Sequence, residues 1–208
     1  MSSDNRRPLR TRDAGWARRL AAVLAASAIT PNRISVLGIV FALIGTVLLL
    51  AWPTPAGFVL AALCVQLRLL CNLLDGMVAI EGGKQSPTGA LYNELPDRIA
   101  DSLLLVALGH AAGLPWLGWL MALLAALTAY IRALGGALGL EQDFRGPQAK
   151  PQRMAVMTAA LLLGAAELHL RGSTHVLLPG AVIIAIGTAL TCILRSRAIA
   201  RQLSTRPP

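Results

Sequence analysis

Six polar residues near the middle of the chain have the types and spacing for metal-assisted phosphate chemistry. Arg68, Asn72 and Asp75 are four and three residues apart. Asn93, Asp97 and Asp101 follow at steps of four. On helices turning about 100° per residue, each set lies along one face. Carboxylate and amide oxygens converging on one pocket are what a hard divalent cation requires. A phosphate-bearing substrate would then bind through the metal, which would stabilise charge at the reacting phosphorus. Gly76, Ala79, Gly89 and Ala90 sit beside these stripes, and their small size lets a ligand or a helix approach the backbone.

The stripes lie in segments that otherwise belong in lipid. Of 208 residues, 55% are hydrophobic and only 4% aromatic, a lipid-solvated composition rather than a soluble core. A spanning helix needs about 20 apolar residues. Six such spans are expected near 33–52, 55–80, 88–112, 116–140, 152–169 and 174–194. A short amphipathic segment, 14–28, reads as a helix lying in the interface. The expected fold is therefore all-α, an integral membrane bundle of six transmembrane helices preceded by an N-terminal amphipathic interfacial helix. The expected organisation is a basic N-terminus and interfacial helix over 1–29, a six-span domain over 30–195, and a basic cytoplasmic tail over 196–208.

The net charge of +9 is concentrated at the ends. Arg6, Arg7, Arg10, Arg12, Arg18 and Arg19 open the chain, and Arg195, Arg197, Arg201 and Arg206 close it. Basic ends flanking apolar helices follow the positive-inside rule, so no nucleic-acid partner is expected. Lys84, Arg145 and Lys150 put the loops near 81–87 and 141–151 on the same side as both termini. The expectation is a multi-pass protein of the cell (inner) membrane, with the termini and the active site cytoplasmic. Contact with anionic membrane lipids is a secondary role for the charges. Cys64, Cys71 and Cys192 fall in apolar stretches and read as small buried residues. No signal-peptide core directly follows the basic start, so no cleaved signal is expected.

Ionisable groups inside a membrane cost several kcal/mol unless paired or wet, so the two stripes are functional candidates by default. Their register is informative. Asn72-Leu-Leu-Asp75-Gly76-Met-Val-Ala79, then Gly89-Ala-Leu-Tyr-Asn93-Glu-Leu-Pro-Asp97-Arg98, resembles the divided signature of the CDP-alcohol phosphotransferase family. That signature reads D-x-x-D-G-x-x-A-R and then G-x-x-x-D-x-x-x-D, and the gap between its halves matches. Thr30-Pro31-Asn32 before the first span, Arg132 in the fourth and the Gly146–Lys150 loop also resemble family features. Three positions depart: Asn72 and Asn93 stand for aspartates, and Ile80 stands for an arginine. Asp101 and Arg68, each one turn from the signature, are expected to compensate, Asp101 by restoring charge and Arg68 by pairing a phosphate or carboxylate.

The resemblance implies a reaction. A CDP-linked lipid or alcohol donor gives its phospho-alcohol group to a second alcohol, and CMP leaves. CDP-diacylglycerol is the economical donor, and the reverse arrangement, a CDP-headgroup donor with diacylglycerol as acceptor, stays open. Two divalent cations, Mg²⁺ or Mn²⁺, would be held by Asn72, Asp75, Asn93 and Asp97. Asp97 is the base by register and Asp101 the competing base. Gly76, Ala79, Gly89 and Arg68 would line the site of the donor, and Arg132 and Lys150 would neutralise the acceptor or the diphosphate. Lys150 and Arg153 could equally be topology charges. Glu94 and Arg98 are placed for an i,i+4 ion pair, and Asp101 could pair with Arg98 or Arg132. A homodimer is implied, and Gly135, Gly136 and Gly139 offer a small-residue face for it. The alternatives are a non-catalytic relative, raised by the two amides, and a small cation-coupled transporter. The transporter is disfavoured by the absence of an internal repeat.

Overall fold

The computed structural model describes residues 14–205. The expected basic segment with Arg6, Arg7, Arg10 and Arg12 lies outside the described residues, as does Arg206. Seven helices follow in order: α1 (Gly15–Ala26), α2 (Pro31–Ala51), α3 (Pro55–Glu81), α4 (Gly89–Ala111), α5 (Pro115–Ala137), α6 (Lys150–Arg171) and α7 (Leu177–Ser204). Their starts are written locally. Thr30 and Thr54 cap α2 and α3 through their hydroxyls, accepting from the N–H of Arg33 and Gly57, with proline in the first turn. Gly172 ends α6 in the left-handed conformation.

α2, α3, α5, α6 and α7 are long and apolar enough to cross a membrane. α4 is the sixth helix of the bundle and falls outside that group, carrying Glu94, Asp97, Arg98 and Asp101. At about 1.5 Å per residue, its 23 residues still cover a hydrocarbon core of about 30 Å. Large apolar side chains such as Val36, Leu43, Val47 and Leu163 point outward, as lipid requires. α7 runs on to Ser204, so the boundary expected at 195 falls inside a continuous helix.

The six helices close into a ring in the order α2, α3, α6, α7, α5, α4. α3 and α4 touch little directly: both pack chiefly on α2, and their polar stripes meet through side chains across the interior. α2 can lie between them because it is thin there. A Cβ on Gly45 would come within 3.2 Å of both Cys64 and Leu104, and one on Gly38 would touch Cys71. α1 lies outside the ring, packing Ala17 and Ala21 with Met77 and Val78 of α3. Gly135, expected on a dimer face, packs against Ile199 of α7 within the same chain.

At the α4–α5 turn two helix backbones approach closely. A Cβ on Gly109 would lie 2.4 Å from both N and Cα of Gly118. Neither backbone can shift without moving its helix. Gly109→Ala is expected to cost about 1–3 kcal/mol by overpacking. Thermal unfolding in detergent checks this; an unchanged midpoint would mean that the two helices can part freely.

Candidate active site

One end of the ring encloses a cavity of about 480 Å³, within the range of small-molecule sites. Each ring helix contributes to its wall. α3 supplies Asn72, Asp75, Gly76 and Ala79, and α4 supplies Gly89, Asn93, Glu94 and Asp97. Opposite them stand Arg132 of α5, Lys150 and Arg153 of α6, and Arg195 of α7. One wall is thus acid and amide, the other cationic.

Below the cavity floor lies a buried charge cluster. Asp101 accepts from Arg68 Nη2 through Oδ1, and from Arg153 Nη2 through Oδ2 at 3.3 Å. The three side chains are 2%, 1% and 1% exposed, so no water screens them. Arg68 Nη2 also reaches the Asp97 main-chain oxygen and Oδ1, both at 3.2 Å. Arg153 Nη1 donates to the Gln148 carbonyl at 3.0 Å and to Thr128 Oγ1 at 3.4 Å.

Asp97 stands one turn nearer the cavity. Its Oδ2 accepts from Asn72 Nδ2 at 3.1 Å and from Lys150 Nζ. Lys150 Nζ also donates to Asn72 Oδ1 at 2.5 Å. Asp75 is held differently. Ser35 Oγ of α2 donates to its Oδ2 at 2.6 Å, while Oδ1 is buried with no partner. On the cationic wall, Arg132 donates to Glu94 Oε1 at 2.5 Å and Gln142 Oε1 at 2.7 Å, with the Phe144 ring 5.6 Å from its guanidinium. Arg195 donates to the carbonyls of Thr128 and Arg145, each at 2.9 Å.

The structure therefore brings together Asn72, Asp75, Gly76, Ala79, Gly89, Asn93, Asp97, Arg132 and Lys150, as the sequence led us to expect. It does not bring Arg68 or Asp101 to the cavity wall. Asp101, expected as the competing base, does not line the cavity: both its oxygens accept from buried arginines. Its partners are Arg68 and Arg153, not Arg98 or Arg132. Arg68 is buried against the carboxylates of Asp97 and Asp101. Glu94 sits 3.8 Å from Arg98 as the i,i+4 spacing anticipates, but its closer partner is Arg132.

Two wall residues were missed. Arg195 reads as a topology charge, yet Thr188, Thr191 and Arg195 recur at steps of three and four. Such a polar stripe in an apolar helix was the available signal. Ser35, one turn after Pro31-Asn32, carried too little signal by itself.

The α5–α6 loop sets the position of Lys150. Gly146 has φ +122°, and a Cβ there would lie 2.4 Å from Thr191 Cγ2. Gln148 donates its N–H to Thr191 Oγ1 at 3.1 Å. Gly187 leaves room for the Gln148 side chain, which a Cβ would meet at 2.2 Å.

The fold and site define a membrane-embedded helical bundle with a divided acid and amide centre. Residues 28–193 match the model of the CDP-alcohol phosphatidyltransferase family, and the chain belongs to that family. It is 34% identical over 105 residues to an archaetidylinositol phosphate synthase of Aeropyrum pernix, covering 50% of this chain and 54% of that protein. It is 28% identical over 193 residues to a phosphatidylinositol phosphate synthase of Streptomyces avermitilis, covering 88% of this chain and 77% of that one. The chain thus spans about half the length of the first relative and most of the second. In fold it matches the phosphatidylinositol phosphate synthase of Mycobacterium tuberculosis solved with CDP-DAG bound. The TM-score is 0.71 at 23% identity, over 89% of this chain and 94% of that one. A second structure of that synthase, with manganese and citrate, gives 0.71 at 21% identity, over 88% of each chain.

Asp101→Asn would leave buried Arg153 without a carboxylate and Arg68 with Asp97 alone. It is expected to destabilise the bundle by about 3–5 kcal/mol. Denaturant unfolding in micelles reads this directly. A variant as stable as the parent would show that the arginines find another anion.

Proposed function

We propose that the protein transfers a phosphatidyl group from a CDP-linked lipid, CDP-diacylglycerol, to a phosphorylated polyol such as inositol phosphate, releasing CMP. One observation carries this reading: a single cavity is lined both by Asp75 and Asp97 and by the arginines Arg132 and Arg195. An acid and amide wall suits a metal-bound diphosphate. A wall of guanidiniums suits a second phosphate, since arginine recognises phosphate through paired N–H donors. The product names of the two relatives agree with a phosphorylated acceptor, and the CDP-DAG bound by the structural neighbour agrees with the donor.

The donor set fits a divalent cation, Mg²⁺ or Mn²⁺, because Asp75 Oδ1 is buried, unpartnered and beside the cavity. Asp75 and Asn93, with the Asn72 carbonyl, would hold it. When bound, it would neutralise the donor diphosphate as bonds at phosphorus change. Gly76, Ala79 and Gly89 leave space for the nucleotide. Asp97 accepts the proton of the attacking hydroxyl. Its Oδ1 takes one hydrogen bond, from Arg68, and keeps room for a second donor. Arg132 and Arg195, already oriented by Glu94, Gln142 and main-chain carbonyls, bind the acceptor phosphate. Both termini and the cavity lie on the cytoplasmic side of the inner membrane, following the basic residues. A homodimer belongs to the same proposal, with its interface away from Gly135.

Radiolabelled CDP-diacylglycerol, Mg²⁺ or Mn²⁺ and a panel of alcohols test this. CMP release is expected with a phosphorylated polyol, and to fall about a hundredfold or more in Asp97→Asn. Absence of CMP release with every acceptor, and with CDP-headgroup donors, would sink the proposal. Arg195→Ala is expected to raise KM for the phosphorylated acceptor about tenfold, as loss of one charge-assisted hydrogen bond. Equal KM for phosphorylated and plain polyols in the parent would remove the acceptor assignment.

A further inference from the structure

We infer that the Lys150 ammonium takes the place of a second metal ion, so that this chain binds one divalent cation. The inference rests on the phosphotransferase reading and concerns what this chain's departures from the family pattern accomplish.

Charge comes first. The four-acid signature supplies four negative charges for two dications. Here Asn72 and Asn93 are amides, leaving Asp75 and Asp97 of the signature on the wall beside Glu94, which Arg132 holds. Asp101 does not make up the difference, because Arg68 and Arg153 already neutralise it. Among the described residues, no group of three or more acidic, histidine or cysteine side chains is placed to hold a metal. Asp97 is paired with Lys150 and Arg68, so Asp75 is the signature carboxylate left to a dication, too little charge for two.

Geometry points the same way. Lys150 Nζ bridges Asn72 Oδ1 on α3 and Asp97 Oδ2 on α4, joining the two halves of the signature as a bridging cation would. Asp97 Oδ2 also accepts from Asn72 Nδ2, so both its lone pairs are in use. The Asn72 amide has one workable orientation: reversed, its NH₂ would face an ammonium and its oxygen a carboxylate. The orientation therefore depends on a cation at the Lys150 position. Asp75 Oδ1 is the carboxylate oxygen with no partner, and it is where one dication fits.

The placement of Lys150 serves no helical purpose. It is the first residue of α6, the end at which the helix dipole opposes a cation, and its side chain is only 16% exposed. Its carboxylate and amide partners offset that cost.

Mn²⁺ binding, followed by the electron spin resonance of free Mn²⁺ during titration of the full chain with CDP-diacylglycerol present, tests this without turnover. One bound ion per chain is expected. Two ions, or none, in the parent protein would overturn the inference, whatever the variants do. Lys150→Met is expected to tighten Mn²⁺ binding at least about tenfold, by removing a nearby positive charge. Unchanged or weaker binding in a folded variant would count against it. Lys150→Met combined with Asn72→Asp and Asn93→Asp is expected to bind two ions, and one ion there would contradict the charge count. The two readings separate cleanly. One bound ion without CMP release defeats the transfer reaction alone; CMP release with two bound ions defeats the Lys150 inference alone.

Discussion

Asp101 is the carboxylate shared by two arginines that have no water to turn to. Arg68 comes from α3 and Arg153 from α6, and both are buried beside this one carboxylate of α4. In a membrane protein such charges are tolerated only when paired. The pairing extends outward. Arg153 reaches Thr128 of α5, whose carbonyl accepts from Arg195 of α7. One line of polar contacts thus ties five of the six ring helices together at the level of the cavity floor.

Asp97 and Asp101, one helical turn apart, divide the work between them. Asp101 faces the scaffold with both oxygens committed. Asp97 faces the cavity, and Arg68 reaches from the floor to fix its main-chain carbonyl and one carboxylate oxygen. The cavity wall is therefore held from beneath by charge and from the side by the α5–α6 loop seated on α7. That loop carries Lys150 on its last turn of chain, so the packing of Gly146 and Gln148 against α7 reaches the carboxylate wall through one lysine.

Much of this was legible in the residues. The helices lie close to the apolar runs, because lipid imposes length and hydrophobicity on every span. The signature positions reached one cavity, because fixed spacing on helices leaves little freedom. What was not legible depended on ring order. Nothing in the spacing of Arg68 and Asp101 says that they meet each other, since that follows from α2 lying between α3 and α4. Arg195 was hidden by its place among basic residues whose charge had an adequate topological explanation. Arg153 had two equal readings until Asp101 was seen to need a second partner.

α4 has a further consequence, one of biogenesis. Asp and Arg near the centre of an isolated helix each oppose entry into lipid by about 2.5–3.5 kcal/mol. Asp97, Arg98 and Asp101 put α4 among helices that gain little by partitioning alone. Its partners for these charges are supplied early by Arg68 of α3 and late by Arg153 of α6. The segment that carries half of the site therefore completes its charge pairing only once α6 is in place. A chain arrested before α6 would hold Asp101 with one arginine instead of two. Quality control that senses incompletely paired charge in the membrane would be reading the same residues on which the finished site stands.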